Sequence, residues 1–403
     1  MEDLRDRLEE RSETLASHVG DFVENSLGKA VEQPIFLAPF LEGSPEPMTW
    51  YSVPLSTGCS GDGSEYHIYV KVGTLNRLCV FFSGGGVAWN EYTAARPVTG
   101  GKMAAGLPNY YWNNLRPVTQ IMNINVGITD LFSETNPFRD WCFVVITYST
   151  GDLHVGDGEF EYEAVDGSRQ TLHFHGYRNF LSAMEVGKRL FPEPESLLIA
   201  GNSAGAFAVS ALAGEVAQGF YPNCGDVTLL SDSGQLLYKD WRRTARDIWR
   251  SPEWIWQPVN SDNITLCWFR ELYHTYGRRF RYLYSTSIHD YLLSAYYSDV
   301  TFKRYRTDAE VQEAFFHQTV EMVHELKAID PEFGIYLNDW HIPLVTKGGS
   351  VHTTVREVYF TTLSQDGVTQ AQWLADAVAG RVYDVGLSLI DTPKGADYHF
   401  TST

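Results

Sequence analysis

The segment Gly201-Asn202-Ser203-Ala204-Gly205 lies between a short apolar run, SLLIA, and a small-residue helical pattern, AFAVSALAGEVAQGF. No other feature limits the possible fold so tightly. At a sharp strand-to-helix turn, side chains two positions either side of the centre would collide, so glycine is favoured there. The turn lifts the central hydroxyl clear of the sheet and sets it at a helix N-terminus. Ala204, the next residue, then offers its backbone N–H to a developing negative charge. A bare G-x-S-x-G is common by chance, and the flanking strand and helix patterns make this one informative.

The surrounding chain alternates in the same way. NRLCVFFSGGG, DWCFVVITYSTGD, SLLIAG, DVTLLSDSG, FRYLYSTSIHD and the run beginning IYLND read as strands, several of them apolar enough to be buried on both faces. HGYRNFLSAMEVGKRLF and QAQWLADAVAG carry helical spacing between them. This alternation implies α/β architecture, a mostly parallel central sheet with helices on both faces. Combined with the serine turn, it predicts an α/β-hydrolase fold over 51–403, with loop and helix cap elements around 87–140 and 240–280. Residues 1–50 read as an N-terminal extension, helical where Leu4, Leu8, Leu15, Val19 and Phe22 are spaced, then irregular.

Ser83-Gly84-Gly85-Gly86-Val87 follows the strand LCVFF directly. Folds of this type take a second set of oxyanion donors from such a loop, where glycine lets backbone N–H groups approach a substrate without a Cβ in the way. A phosphate-binding loop is excluded because no GKS or GKT follows and no GxGxxG spacing exists. Downstream, a carboxylate and then a histidine are expected in that order. His352 alone sits in a polar, glycine-rich loop, KGGSVHTT, beyond a late strand, and is the expected base. His341 reads as structural, near the start of a strand HIPLVT. Two acids compete: Asp232 ends the strand after the serine helix, and Asp290 ends the next one. The later strand is the commoner source of the acid, which favours Asp290; Asp232 could instead brace the loop beneath the site. Gly85, Trp89 and Asn202 are candidates for contacting substrate.

The formal net charge of −19 disfavours nucleic acid and anionic membranes as partners. No apolar run approaches the roughly 20 residues that a membrane span needs. Residues 1–20 are charged throughout, without the apolar core of an export signal, so the expected location is the cytoplasm unless a signal was removed. The five cysteines include no CxxC pair and suggest neither a disulfide framework nor a zinc site. His173 and His175 resemble a metal pair, yet no third ligand lies at a sensible spacing, so neither metal nor cofactor is expected. Trp249, Trp254, Trp256 and Trp268 could line an acyl or sugar pocket or serve as core.

The order GGG loop, HGYRNF with AM, GNSAGA, a strand ending SDSG, a late Asp and GGSVHT resembles the pectin acetylesterase/Notum family of carboxylesterases, most closely its bacterial members. The similarity spans roughly residues 50–385. Members of that family remove acyl groups from oxygen: acetyl from pectin in plant enzymes, a fatty acyl from a protein serine in Notum. The resemblance implies Ser203 as nucleophile, Asp290 as acid, His352 as base, and backbone donors at Gly86, Val87 and Ala204. Where the family often has Trp after the glycines, Val87 stands here. The expected activity is a serine carboxylesterase acting on a small-molecule or carbohydrate ester through an acyl-enzyme. An acyltransferase or thioesterase with the same triad, or a binding protein that keeps the fold, are the alternatives.

Overall fold

A computed structural model describes residues 38–99, 102, 107–115, 122–342, 346 and 348–391. The expected helix within 1–30 lies outside these residues. In chain order the strands are β1 Trp50–Pro54, β2 His67–Lys71, β3 Arg77–Phe82, β4 Cys142–Ile146, β5 Gly158–Glu163, β6 Arg169–Phe174, β7 Ser196–Asn202, β8 Val227–Asp232, β9 Phe280–Ser287 and β10 Gly334–Asn338. The longer helices are α1 Gly176–Leu190, α2 Ala204–Glu215, α3 Ile264–Tyr276, α4 Tyr291–Phe302, α5 Ala309–Ile329 and α6 Gln370–Val378.

Eight strands form one sheet in the order β1-β2-β4-β3-β7-β8-β9-β10. From β4 to β10 every neighbouring pair is parallel, and β1 and β2 add an antiparallel edge. Side chains alternate between two cores, one on each face: Leu197 and Ile199 of β7 enter one, Leu198 and Ala200 the other. Two-sided burial explains why these strands read as unbroken apolar runs. With helices around the mostly parallel sheet, the chain has the α/β-hydrolase fold.

Parallel pairing brings the carboxyl ends of β3, β7, β8 and β9 to one rim, the position where open α/β sheets place ligands. In register, Phe82 meets Gly201, Asn202 meets Asp232, and Asp232 meets Ser285. The β7–α2 turn shows why glycine stands on both sides of Ser203. A Cβ on Gly201 would lie 2.2 Å from the Gly205 carbonyl oxygen, and one on Gly205 would lie 1.9 Å from that of Phe82. Helix α2 is buried nearly all round, which its alanines and glycines permit.

Four features differ from expectation. Residues 158–174 form a separate antiparallel hairpin, β5–β6, and β1 lies within 31–66, a stretch whose Pro, Gly and Ser content reads as irregular. The last parallel strand ends at Asn338, so His341 and Ile342 are coil rather than the start of a strand HIPLVT; 343–345 lie outside the described residues. The helical stretch 240–280 contributes no side chain to the cavity described below. It packs Trp241, Trp249 and Trp268 into the core, while Trp254 faces solvent.

Candidate active site

Ser203 occupies a backbone conformation, φ 52° and ψ −124°, that L-residues adopt rarely and at a cost of about 1–3 kcal/mol. Two hydrogen bonds hold it there: its N–H donates to the Asp232 carbonyl and its carbonyl accepts from Ala206 N–H, both at 2.8 Å. Asp290 is the N-cap of α4, where Oδ1 accepts from the amides of Leu292 and Leu293, both at 2.9 Å. Its other oxygen, Oδ2, lies 2.7 Å from His352 Nδ1. His352 Nε2 in turn lies 2.8 Å from Ser203 Oγ.

The loop carrying His352 is fastened on two sides. Ser350 N–H donates to the His289 carbonyl at 2.8 Å, and the Tyr291 amide donates to the Ser350 carbonyl at 3.2 Å. The amides of Thr354 and Val355 donate to Asp232 Oδ2 at 2.7 and 2.9 Å, while Ser285 Oγ donates to Oδ1 at 2.6 Å. Of the two competing acids, Asp290 meets the imidazole and Asp232 pins the loop. His341, in the coil before that loop, has Nδ1 at 2.6 Å from the Gly349 carbonyl and does not join the cluster.

Burial lowers the affinity of His352 for a proton, but the Asp290 carboxylate, with help from Asp232 and Glu357, outweighs it and raises the imidazole's pKa above 6.5. Asp232 is wholly buried, and burial pushes its carboxyl pKa up against the opposing pull of its hydrogen bonds.

The glycine loop corrects two expectations. Val87 N–H donates to the Tyr110 carbonyl at 2.8 Å, so this amide is committed and does not serve as an oxyanion donor. Gly84 N–H is likewise taken, by Asn202 Oδ1 at 3.0 Å. Gly85 and Gly86 line the cavity, and among the described residues their amides and that of Ala204 have no protein acceptor. Trp89, expected to contact substrate, is buried beneath the loop with its ring edge-on to Tyr110 at 5.2 Å, and it does not line the cavity.

A cavity of about 480 Å³ opens over Ser203 and His352. Its walls include Trp112, Tyr291, Tyr296, Tyr305 and Tyr359, none of which had a sequence signal, because they come from unpatterned loops, from the short helix Tyr359–Thr362 or from the first turns of α4. Arg356, only 6% exposed, also lines it. Burial pulls the guanidinium's pKa down to about 10, against the attraction of Glu357 beside it. His154 was missed as well: its Nε2 lies 2.9 Å from the Ser83 carbonyl, bracing the start of the glycine loop, and burial lowers its pKa to about 4, so it is the neutral ring that donates there.

Residues 56–251 match the family model described as Pectinacetylesterase. Over that segment the chain resembles the pectinacetylesterases. This pectinacetylesterase relative is therefore a carboxylic ester hydrolase, with an esterase or deacetylase function. The match takes in the glycine loop, the serine turn and Asp232, whereas Asp290 and His352 fall beyond it. No curated protein matches the chain. No helix among the described residues is long and apolar enough to cross a membrane. His173 and His175, without a third ligand nearby in sequence, have Cys59 beside them in space.

Proposed function

We propose that this pectinacetylesterase-like protein is a serine carboxylesterase that removes an acyl group from a carbohydrate or other small ester through an acyl-enzyme. One observation carries the reading: His352 Nε2 is 2.8 Å from Ser203 Oγ while Nδ1 is 2.7 Å from a fully buried carboxylate. His352 takes the Ser203 proton as Oγ attacks the ester carbonyl. Asp290 holds the imidazole in the tautomer that leaves Nε2 free to accept, and stabilises the imidazolium that forms. The uncommitted amides of Gly85, Gly86 and Ala204 receive the oxyanion, each donor of this kind being worth roughly 2.7–4 kcal/mol. His352 returns the proton to the departing alcohol, and a water activated by the same ring then releases the acid. The substrate reading rests on the family and on the aromatic and polar walls of the cavity, which suit a sugar ring or small alcohol carrying a short acyl group.

Ser203→Ala should lower turnover of p-nitrophenyl acetate by about 10³-fold or more with an unchanged circular dichroism spectrum. Fluorophosphonate should label the wild-type serine and leave the variant unmarked. Retention of most of the activity by the folded variant would end the proposal.

A further inference from the structure

Cys59, His173 and His175 come together outside the active-site cavity, each offering one ligand atom, with the three atoms within 4.8 Å of one another. His173 lies at the end of β6, His175 is the residue before α1, and Cys59 arrives from the turn between β1 and β2. Each backbone is held. Buried Asn179 clamps Cys59, accepting from its N–H at 3.1 Å and donating to its carbonyl at 2.9 Å. The His175 carbonyl accepts from Asn179 N–H at 2.9 Å, and His173 N–H donates to Gly61 at 2.8 Å.

The side chains are less well served by the protein alone. Cys59 Sγ and His175 Nδ1 lie 2.8 Å apart, while His175 Nε2 and His173 Nδ1 are buried atoms without a hydrogen bond. Glu159, opposite His173 in the hairpin register, brings Oε1 to 3.2 Å from His173 Nδ1, close in charge but not in hydrogen-bonding geometry. A thiol and two imidazoles, His175 facing the thiol through Nδ1 and His173 with Nδ1 uncommitted, make the donor set of a borderline-soft divalent ion, and a nearby carboxylate offers a fourth ligand.

We infer that Cys59, His173 and His175 form a structural site for a zinc-type divalent ion, with Glu159 or water as fourth ligand. Binding releases the Cys59 thiol proton to solvent and forms the metal–thiolate bond. The Sγ···Nδ1 separation opens to roughly 3.5 Å, the edge of a tetrahedron with bonds near 2.0 and 2.3 Å. The ion would tie the β1–β2 turn and the β5–β6 hairpin to the start of α1. It stands apart from the ester chemistry, since none of its ligands lines the active-site cavity.

The test uses the full chain, reduced, stripped with chelator and titrated with Co²⁺. The expected result is one equivalent bound, with a thiolate-to-cobalt charge-transfer band, strong tetrahedral ligand-field bands, and displacement of both by Zn²⁺. Cys59→Ser should lose the charge-transfer band, and His173→Gln or His175→Gln should weaken Zn²⁺ binding by at least about tenfold, circular dichroism reporting that each is folded. Absence of the band in folded wild-type protein would overturn the site whatever the variants do. Persistence of the band in Cys59→Ser would assign the thiolate elsewhere and overturn it equally.

Discussion

At the level of single residues, the two aspartates differ in what they touch: Asp290 meets the imidazole of the proposed triad, and Asp232 holds the loop that carries it. Asp290 acts on the imidazole, and its influence has a measurable sign. A base whose pKa stands above 6.5 is protonated, and so unable to accept from Ser203, through the mildly acid range. Thus kcat/KM should rise with pH along a limb whose midpoint lies above 6.5 and then level off. Native-state stabilisation from the same group runs the other way: it is complete below the unfolded pKa and is lost as pH climbs through the raised folded value. Asp290→Asn should cut kcat by roughly 10⁴-fold and move the limb to lower pH, because the carboxylate that holds the proton on is gone. Asp232→Asn should spare most of kcat. Asp232→Ala leaves the buried amides of Thr354 and Val355 without an acceptor, at a cost of roughly 1–3 kcal/mol each, and should appear first as a lower urea midpoint. A pH–rate profile for each variant checks the assignment; equal damage from both Asn variants would refute the division.

At the level of elements, glycines set the accuracy of the rim. Gly86 has φ +84°, and a Cβ there would fall 1.8 Å from the Tyr110 carbonyl oxygen. Gly86→Ala should therefore shift the glycine loop and lower kcat by about 10²–10³-fold, the scale of one lost oxyanion donor, with a smaller change in KM. Steady-state kinetics on p-nitrophenyl butyrate would show it. The serine turn and the strands beside it were legible because each obeys a local rule: no room for Cβ at Gly201 or Gly205, and apolar runs where both faces are covered. The Val87 and Trp89 roles were not legible, since they depend on a bridge to Tyr110 and Tyr111 some twenty residues away, which no local pattern encodes. The same holds for the metal-type cluster. One residue separates His173 from His175 in the sequence, but Cys59 is supplied by the folding of another turn onto α1. The hairpin β5–β6 escaped notice because its glutamates alternate over a short exposed ribbon, a weak signal next to the apolar strands.

Across the whole molecule, charge and topology decide what reaches the site. The net charge of −19 surrounds a cavity whose buried cation is Arg356, flanked by Glu357. The long-range field should repel an anionic ester until salt shortens its reach, from about 30 Å at 0.01 M to about 10 Å at 0.1 M. The kcat/KM for a carboxylate-bearing p-nitrophenyl ester should accordingly rise with ionic strength while that for p-nitrophenyl acetate stays flat; parallel responses would mean that the surface charge does not steer substrates. Sheet order was readable as a class from the alternation of strands and helices, but not the pairing of β3 with both β4 and β7, which brings Gly84 against Ser203.

The spacing of Ser203, Asp290 and His352 along the chain also bears on how the protein is made. A nascent polypeptide that has just completed α5 already carries a hydroxyl and a carboxylate, yet nothing that can draw a proton from the first. The segment that supplies the imidazole also needs Asp232 to receive it, so on the proposed mechanism chemical competence arrives abruptly, once residue 355 is in place.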